Sequence, residues 1–248
     1  MDLLAATFAW LADPAHWQGP DGIPTRLEEH LAICAVSLLV AAALALPIGA
    51  FIGHTGRGAL VAVNAANVGR AIPSYAVLVM VLPISLRLNP EYGLDIIPTF
   101  TAMTLLAIPP ILVNTYAGLR EVDPDLVEAA RGMGMRERQV LLRVEAPIAL
   151  PVILGGLRTA AVQVVATATL GAIVAYGGLG RYLIDGIARQ EDDRLLAGVI
   201  LVAGLALVTE AGFAIAARLL ASPGLERTVE VRPYRELGEV PRPPDLAP

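Results

Sequence analysis

The stretch LAICAVSLLVAAALALPIGAFIG occupies residues 31–53 and contains no Asp, Glu or Arg. A hydrocarbon core about 30 Å thick takes about 20 apolar residues in a helix, so this run is long enough to cross a bilayer. The signal recurs along the chain. Residues 58–86 are interrupted once, by Arg70, and carry Pro73 and Pro83. Residues 96–119 are uncharged, 146–180 carry only Arg158, and 195–219 carry Glu210 and Arg218. Five such runs are too many for the core helices of a soluble domain, and no period-two alternation points to a barrel. Backbone groups in lipid must pair internally, which favours helices.

Composition agrees. The 248 residues are 56% hydrophobic and 17% charged, with a mean hydropathy of +0.64. Soluble domains run to about 45–50% apolar and about 25% charged. The expected fold class is an all-α membrane protein. Its transmembrane domain spans 31–220, behind an N-terminal segment 1–30 and before a tail 221–248. The second span is expected to be bent or preceded by a short helix. Residues 146–180 are too long for one straight span. The fourth span is placed at 150–175, with Arg158 near one interface, where a long side chain can snorkel.

Several chemistries are excluded or lack support. All 18 basic residues are Arg. Without Lys there is no P-loop and no Schiff base, so the chain alone is not a P-loop ATPase. Cys34 is the one cysteine, and His16, His30 and His54 are widely separated. Neither pattern makes a disulfide or a metal site. No serine lies in a G-x-S-x-G context. The chain is expected to be non-catalytic, with no cofactor of its own.

Arginine gives the orientation. With the N-terminus outside, the inner segments hold eleven Arg and the outer ones five. That bias places the C-terminus of a multi-pass membrane protein in the cytoplasm. Residues 3–11 are expected to form a short helix at the interface, with Trp10 and Trp17 at headgroup level. The Pro- and charge-rich tail is expected to be disordered.

One long polar stretch interrupts the apolar chain: EAARGMGMRERQVLLRVEAP, residues 128–147. Asp123 can cap a helix and Pro124 suits its first turn. Gly132 and Gly134 are expected to stop or bend that helix, and a second helix runs from near Arg136 to Pro147. Leu126, Val127 and Ala130 are expected to share one face. An apolar patch bordered by charge suits protein docking. A loop resting on lipid headgroups is the alternative from chemistry alone.

The stretch resembles the EAA motif of bacterial ABC importer permeases: E-A-A, three residues, G, nine residues, I, one residue, L, P. Glu128, Ala129, Ala130, Gly134 and Pro147 match; Val144 stands for Ile and Ala146 for Leu. ANVGRAIPSYAVLVM and GGLRTAAVQVVATATLGAIVAYGGLG resemble the permeases of osmoprotectant importers, which carry glycine betaine, carnitine, choline or proline-like solutes. The resemblance implies a five-span core of the methionine-importer type, paired with a second, identical or homologous, permease. It implies ABC ATPase subunits, which bind ATP and Mg, docked on the coupling segment 123–147 through Glu128, Ala129, Ala130, Gly132, Gly134 and Pro147. It also implies an extracytoplasmic solute-binding protein.

Five helices do not readily enclose a solute, so the path is expected between two permeases. Thr159, Gln163 and Thr167 recur at i, i+4 and can line one stripe, or can bond between helices. Pro73 can break the second span towards a cavity. Glu210 is an acid inside a span and a functional candidate by default, with Arg218 as its expected partner. An ion-coupled carrier using Glu210, and a membrane scaffold that moves no solute, are the competing classes. Another small solute, such as an amino acid, is the alternative cargo.

Overall fold

The charge-free run at 31–53 forms the middle of a longer helix, α2 (Ile23–Thr55). Pro24 sits in its first turn, where a missing N–H costs nothing. Gly56, left-handed at φ 70°, closes it by donating its N–H to the Ile52 carbonyl. Arg26, Glu29 and His30 therefore lie in the first turns of α2, ahead of the charge-free run. The computed structural model describes residues 2–220, and the tail predicted at 221–248 lies outside them. Ahead of α2, α1 (Leu3–Ala12) is capped by Asp2.

The second span is broken as expected. α3 (Ala59–Ala71) and α4 (Ser74–Leu88) meet at 89°. Proline disfavours helical backbone in the residue before it. Ile72 accordingly takes ψ 121°, and Pro73 begins α4 without a side-chain cap. Among the described residues, four helices are long and apolar enough to cross a bilayer, and the bent pair makes a fifth.

α5 (Ile96–Arg120) is the central post, packed on α2, α3, α4 and α8 (Ala146–Thr167). Its buried face carries Met103 and Ile111, which join Leu78 of α4 and Val164 of α8 in the main core. Small residues set the spacing. A Cβ on Gly49 of α2 would stand 2.8 Å from the Thr115 Cβ, and one on Gly156 of α8 would stand 2.6 Å from the Asn114 Cβ. Without a hydrophobic force between helices in lipid, such close backbone approach supplies much of the packing.

Two short helices connect α5 to α8: α6 (Pro124–Gly132) and α7 (Glu137–Val140). Pro147 does not end the second helix. It has no N–H for the Arg143 carbonyl, and its ring crowds that carbonyl. The backbone instead widens into a π turn over Leu141–Glu145, in which Ala146 N–H donates to Leu141 O. One continuous helical stretch, Glu137–Val174, results. Its last turns, Ala168–Val174, are 3-10, so the fourth span begins earlier and ends tighter than 150–175. α9 (Gly180–Arg189) lies at the opposite end of the bundle from α6, and α10 (Asp192–Leu220) returns along α8.

Candidate functional site

The α6 end of the bundle is built locally first. The Asp123 side chain accepts from Asp125 N–H at 2.9 Å, and Pro124 follows it, as the sequence predicted. At the other end, Gly134 N–H donates to Arg131 O at 2.9 Å, and Met135 N–H to Ala130 O at 3.2 Å. Those two bonds with Gly134 at φ +83° form a Schellman cap. Gly132 lies inside the helix, so Gly134 alone ends it.

The predicted apolar face divides. Ala130 is 2% exposed, so it supports α6 from beneath and is not a surface contact. Val127 packs with Leu119, Val122 and Ala149. Leu126, Glu128, Ala129 and Met133 face outward, Met133 at 78% exposure. The split follows from helical spacing: 126, 129 and 133 form one stripe, and 127 and 130 the stripe behind it.

Ion pairs then lock α6 to the bundle. Arg131 grips Glu137 with two bonds, at 3.0 and 2.9 Å. The other contact of Glu137 is His54 Nε2, at 3.1 Å, on the last turn of α2. The Nδ1 of His54 is 2.5 Å from the buried Glu145 carboxylate, in the π turn. Both ring nitrogens face carboxylates, so only the doubly protonated ring donates to both. A cavity of about 200 Å³ opens beside the chain of pairs, lined by His54, Arg120, Glu128, Arg131 and Glu145. Sequence reading had assigned His54 and Glu145 no role. The available signal was a carboxylate two residues before Pro147 at a span edge, which needs a basic partner. Removing one partner of a buried pair strands the other, at about 3–5 kcal/mol. His54→Ala is thus expected to lower the thermal midpoint of the purified protein sharply. His54→Ala with Glu145→Ala should recover much of that loss, as read in a double-mutant cycle.

At the far end, Glu29 of α2 holds the turn after α8. It accepts from Gly178 N–H at 2.7 Å, and its own backbone carbonyl accepts from the Tyr176 hydroxyl at 2.8 Å. Asp185 of α9 takes Arg181 at 2.8 Å and Arg194 at 3.0 Å. Tyr182 donates to Asp21 O at 2.8 Å, and burial pushes its phenol up to about 12. Asp21, Arg181, Tyr182, Asp185 and Arg194 border a polar cavity of about 710 Å³.

The sequence and the fold both have counterparts among known proteins. The family model described as "Binding-protein-dependent transport system inner membrane component" matches residues 45–222. The chain belongs to that family. The choline transport system permease protein OpuBB of Bacillus subtilis is 30% identical over 206 residues, 83% of this chain and 92% of that protein. The carnitine transport permease protein OpuCB of Listeria monocytogenes is 35% identical over 182 residues, 73% and 80% of the two chains. A chain of the MetNI methionine ABC transporter in an inward-facing conformation superposes with a TM-score of 0.73 at 22% identity, over 85% of this chain and all of that one. This last likeness concerns the fold, and it agrees with the five-span core expected from the sequence.

As a permease the chain also has a polar stripe on a helix long and apolar enough to cross a bilayer. Thr159 and Gln163 are exposed and Thr167 half-buried along one edge of α8. Thr159 donates to Gly155 O of its own helix at 2.9 Å. Among the described residues no hydrogen bond joins this stripe to another helix, so the interhelical alternative is not seen within one chain. Pro73 is not part of the stripe. It stands exposed at the elbow of α3 and α4, which pack on α5. Arg158, expected to snorkel, is instead held by a neighbouring helix. It pairs with Glu210 of α10, which was expected to pair with Arg218. Antiparallel packing of α8 and α10 sets that register.

Proposed function

We propose that this permease is the membrane subunit of an ATP-driven importer for a compatible solute of the glycine betaine, carnitine, choline or proline-like class. Two permeases, identical or homologous, enclose the path between them. The α8 stripe and the elbow at Pro73 lie along that path. A separate ABC ATPase docks on the α6 end, binds ATP and Mg there, and performs the hydrolysis. A solute-binding protein delivers cargo at the opposite, α9 end. The N-terminus lies outside and the C-terminus in the cytoplasm, following the arginine bias.

One observation carries this reading: α6 presents Leu126, Glu128, Ala129 and Met133 outward on a helix capped at both ends and clasped to α2 and the π turn. A rigid, exposed, mixed apolar and charged surface suits a protein partner. An ATPase gripping it moves the clasp and the helix behind it as one body. The names of the relatives carry the solute class. An ion-coupled carrier would need Glu210 free to exchange protons, and Glu210 is held by Arg158.

The test is uptake by the full assembly in liposomes. Labelled betaine, carnitine, choline and proline are offered with internal ATP, or with an ion gradient and no ATP. Accumulation with ATP alone is expected. Accumulation on the gradient alone would establish the ion-coupled class, and zero flux of every solute under both conditions would favour a scaffold.

A further inference from the structure

Charge around His54 balances only when its ring is protonated. The groups that face it are Glu137 of α7, Glu145 of the π turn, Arg120 of α5, and Glu128 and Arg131 of α6. Three carboxylates thus meet two guanidinium groups, and an imidazolium supplies the third positive charge. The two ring bonds are unequal. Glu145 is 4% exposed, and among the described residues the ring is its one hydrogen-bond partner. The Glu137 side chain is 60% exposed and already carries Arg131. A neutral ring keeps one N–H. Spending that N–H on Glu137 would strand a buried carboxylate, so Nδ1 retains its proton and Nε2 gives one up. The cavity of about 200 Å³ beside the ring offers the departing proton a route to water. Nε2 then turns a lone pair towards the Glu137 carboxylate, 3.1 Å away, and attraction becomes repulsion.

We propose that His54 is a proton-operated clutch between α2 and the arm formed by α6 and α7. The protonated ring engages the arm; the neutral ring releases it while still holding Glu145. This rests on the reading above that an ATPase docks on α6. Among the described residues, the Nε2 contact is the one ion pair that joins α2 to α6 or α7. Without it the arm stays on the bundle through apolar packing, chiefly Val127 against Leu119, Val122 and Ala149. The two bonds between Arg131 and Glu137 do not involve the ring, and neither does the Asp123 cap, so α6 keeps its shape and its outward face. The ATPase therefore keeps its docking surface and goes on hydrolysing ATP. What weakens is the passage of its motion into α2. A rise in inner pH lowers the solute moved per ATP, and acidification restores it.

The assembled transporter in liposomes tests this, with the inner pH set from about 6 to about 9, a range that covers imidazoles beside carboxylates. Across it the parent is expected to lose roughly two- to fivefold in solute moved per ATP, the worth of an ion pair with one exposed partner. His54→Gln keeps an N–H for Glu145 but has no proton to lose. Its ratio is expected to be flat and to match the parent's alkaline value. A flat profile in the parent, or the parent's profile reproduced in His54→Gln, overturns the proposal. Should the variant not assemble, hydrogen exchange in the parent transporter without nucleotide gives a second reading. Normalised to the free-peptide rate at each pH, the amides of α6 are expected to exchange faster at the alkaline end, while those of α5 hold steady. Equal normalised protection of α6 at both ends overturns the clutch. A transporter that moves no solute on ATP at any pH refutes the ATPase-docking reading, and exchange then decides the clutch by itself.

Discussion

Gly156→Ala is expected to leave little folded permease, whereas Gly155→Ala, one residue earlier, yields a protein at least as stable as the parent. Both glycines lie inside α8. A Cβ at 156 would stand 2.6 Å from the Asn114 Cβ and 2.8 Å from the Pro110 carbonyl oxygen, both on α5. The obstacle is mainly backbone and near-backbone, so no side chain can rotate away. Overpacking a tight core costs about 1–3 kcal/mol, and here it pushes apart the two helices at the centre of the fold. A Cβ at 155 meets nothing within 4 Å. There the substitution only removes a flexible residue from a helix, a gain of about 0.5–1 kcal/mol. Size-exclusion profile and thermal midpoint in detergent separate the two. Equal behaviour of the pair would mean that α5 and α8 do not approach as described.

Gly134→Val is expected to leave insertion and ATP hydrolysis intact while reducing uptake by about tenfold, the consequence of about 1–2 kcal/mol of left-handed backbone strain. Gly134 has φ +83°, and no atom lies within 4 Å of a Cβ built there. The penalty is therefore conformational, not steric. Relieving it unwinds the bonds from Gly134 to Arg131 and from Met135 to Ala130, which fix the end of α6. Arg131 then loses its aim at Glu137. Gly134→Asn, which tolerates the left-handed region, is expected to retain most transport. Solute moved per ATP hydrolysed is the measurement. An unchanged ratio in Gly134→Val would show that the α6 cap does not transmit work.

The spans were legible because lipid imposes a one-dimensional rule: length and apolarity suffice. The elbow at Pro73 and the Asp123 cap were legible because a single residue type causes each. Gly132 misled, since glycine inside a short helix looks like its end until backbone angles are known. The face of α6 was misjudged because spacing groups Leu126 with Ala130 and does not say which stripe the bundle buries. The partners of Arg158, His54 and Glu145 were hidden for one reason. Residues 158 and 210, or 54 and 145, meet only through the register of packed helices, and no local pattern encodes that register. Arg218 looked like the partner of Glu210 because it was near in sequence, while α8 offered one at the same depth.

The unbroken stretch Glu137–Val174 has a geometrical consequence. Its 38 residues measure about 57 Å if fully α-helical, so each degree of tilt about the lower end sweeps the upper end sideways by about 1 Å. Its foot touches Arg131 and His54, and its tip is held by Glu29 through Gly178. A few degrees of rocking at the foot thus becomes several ångströms at the opposite rim, comparable to the width of a small organic cation, with no refolding in between.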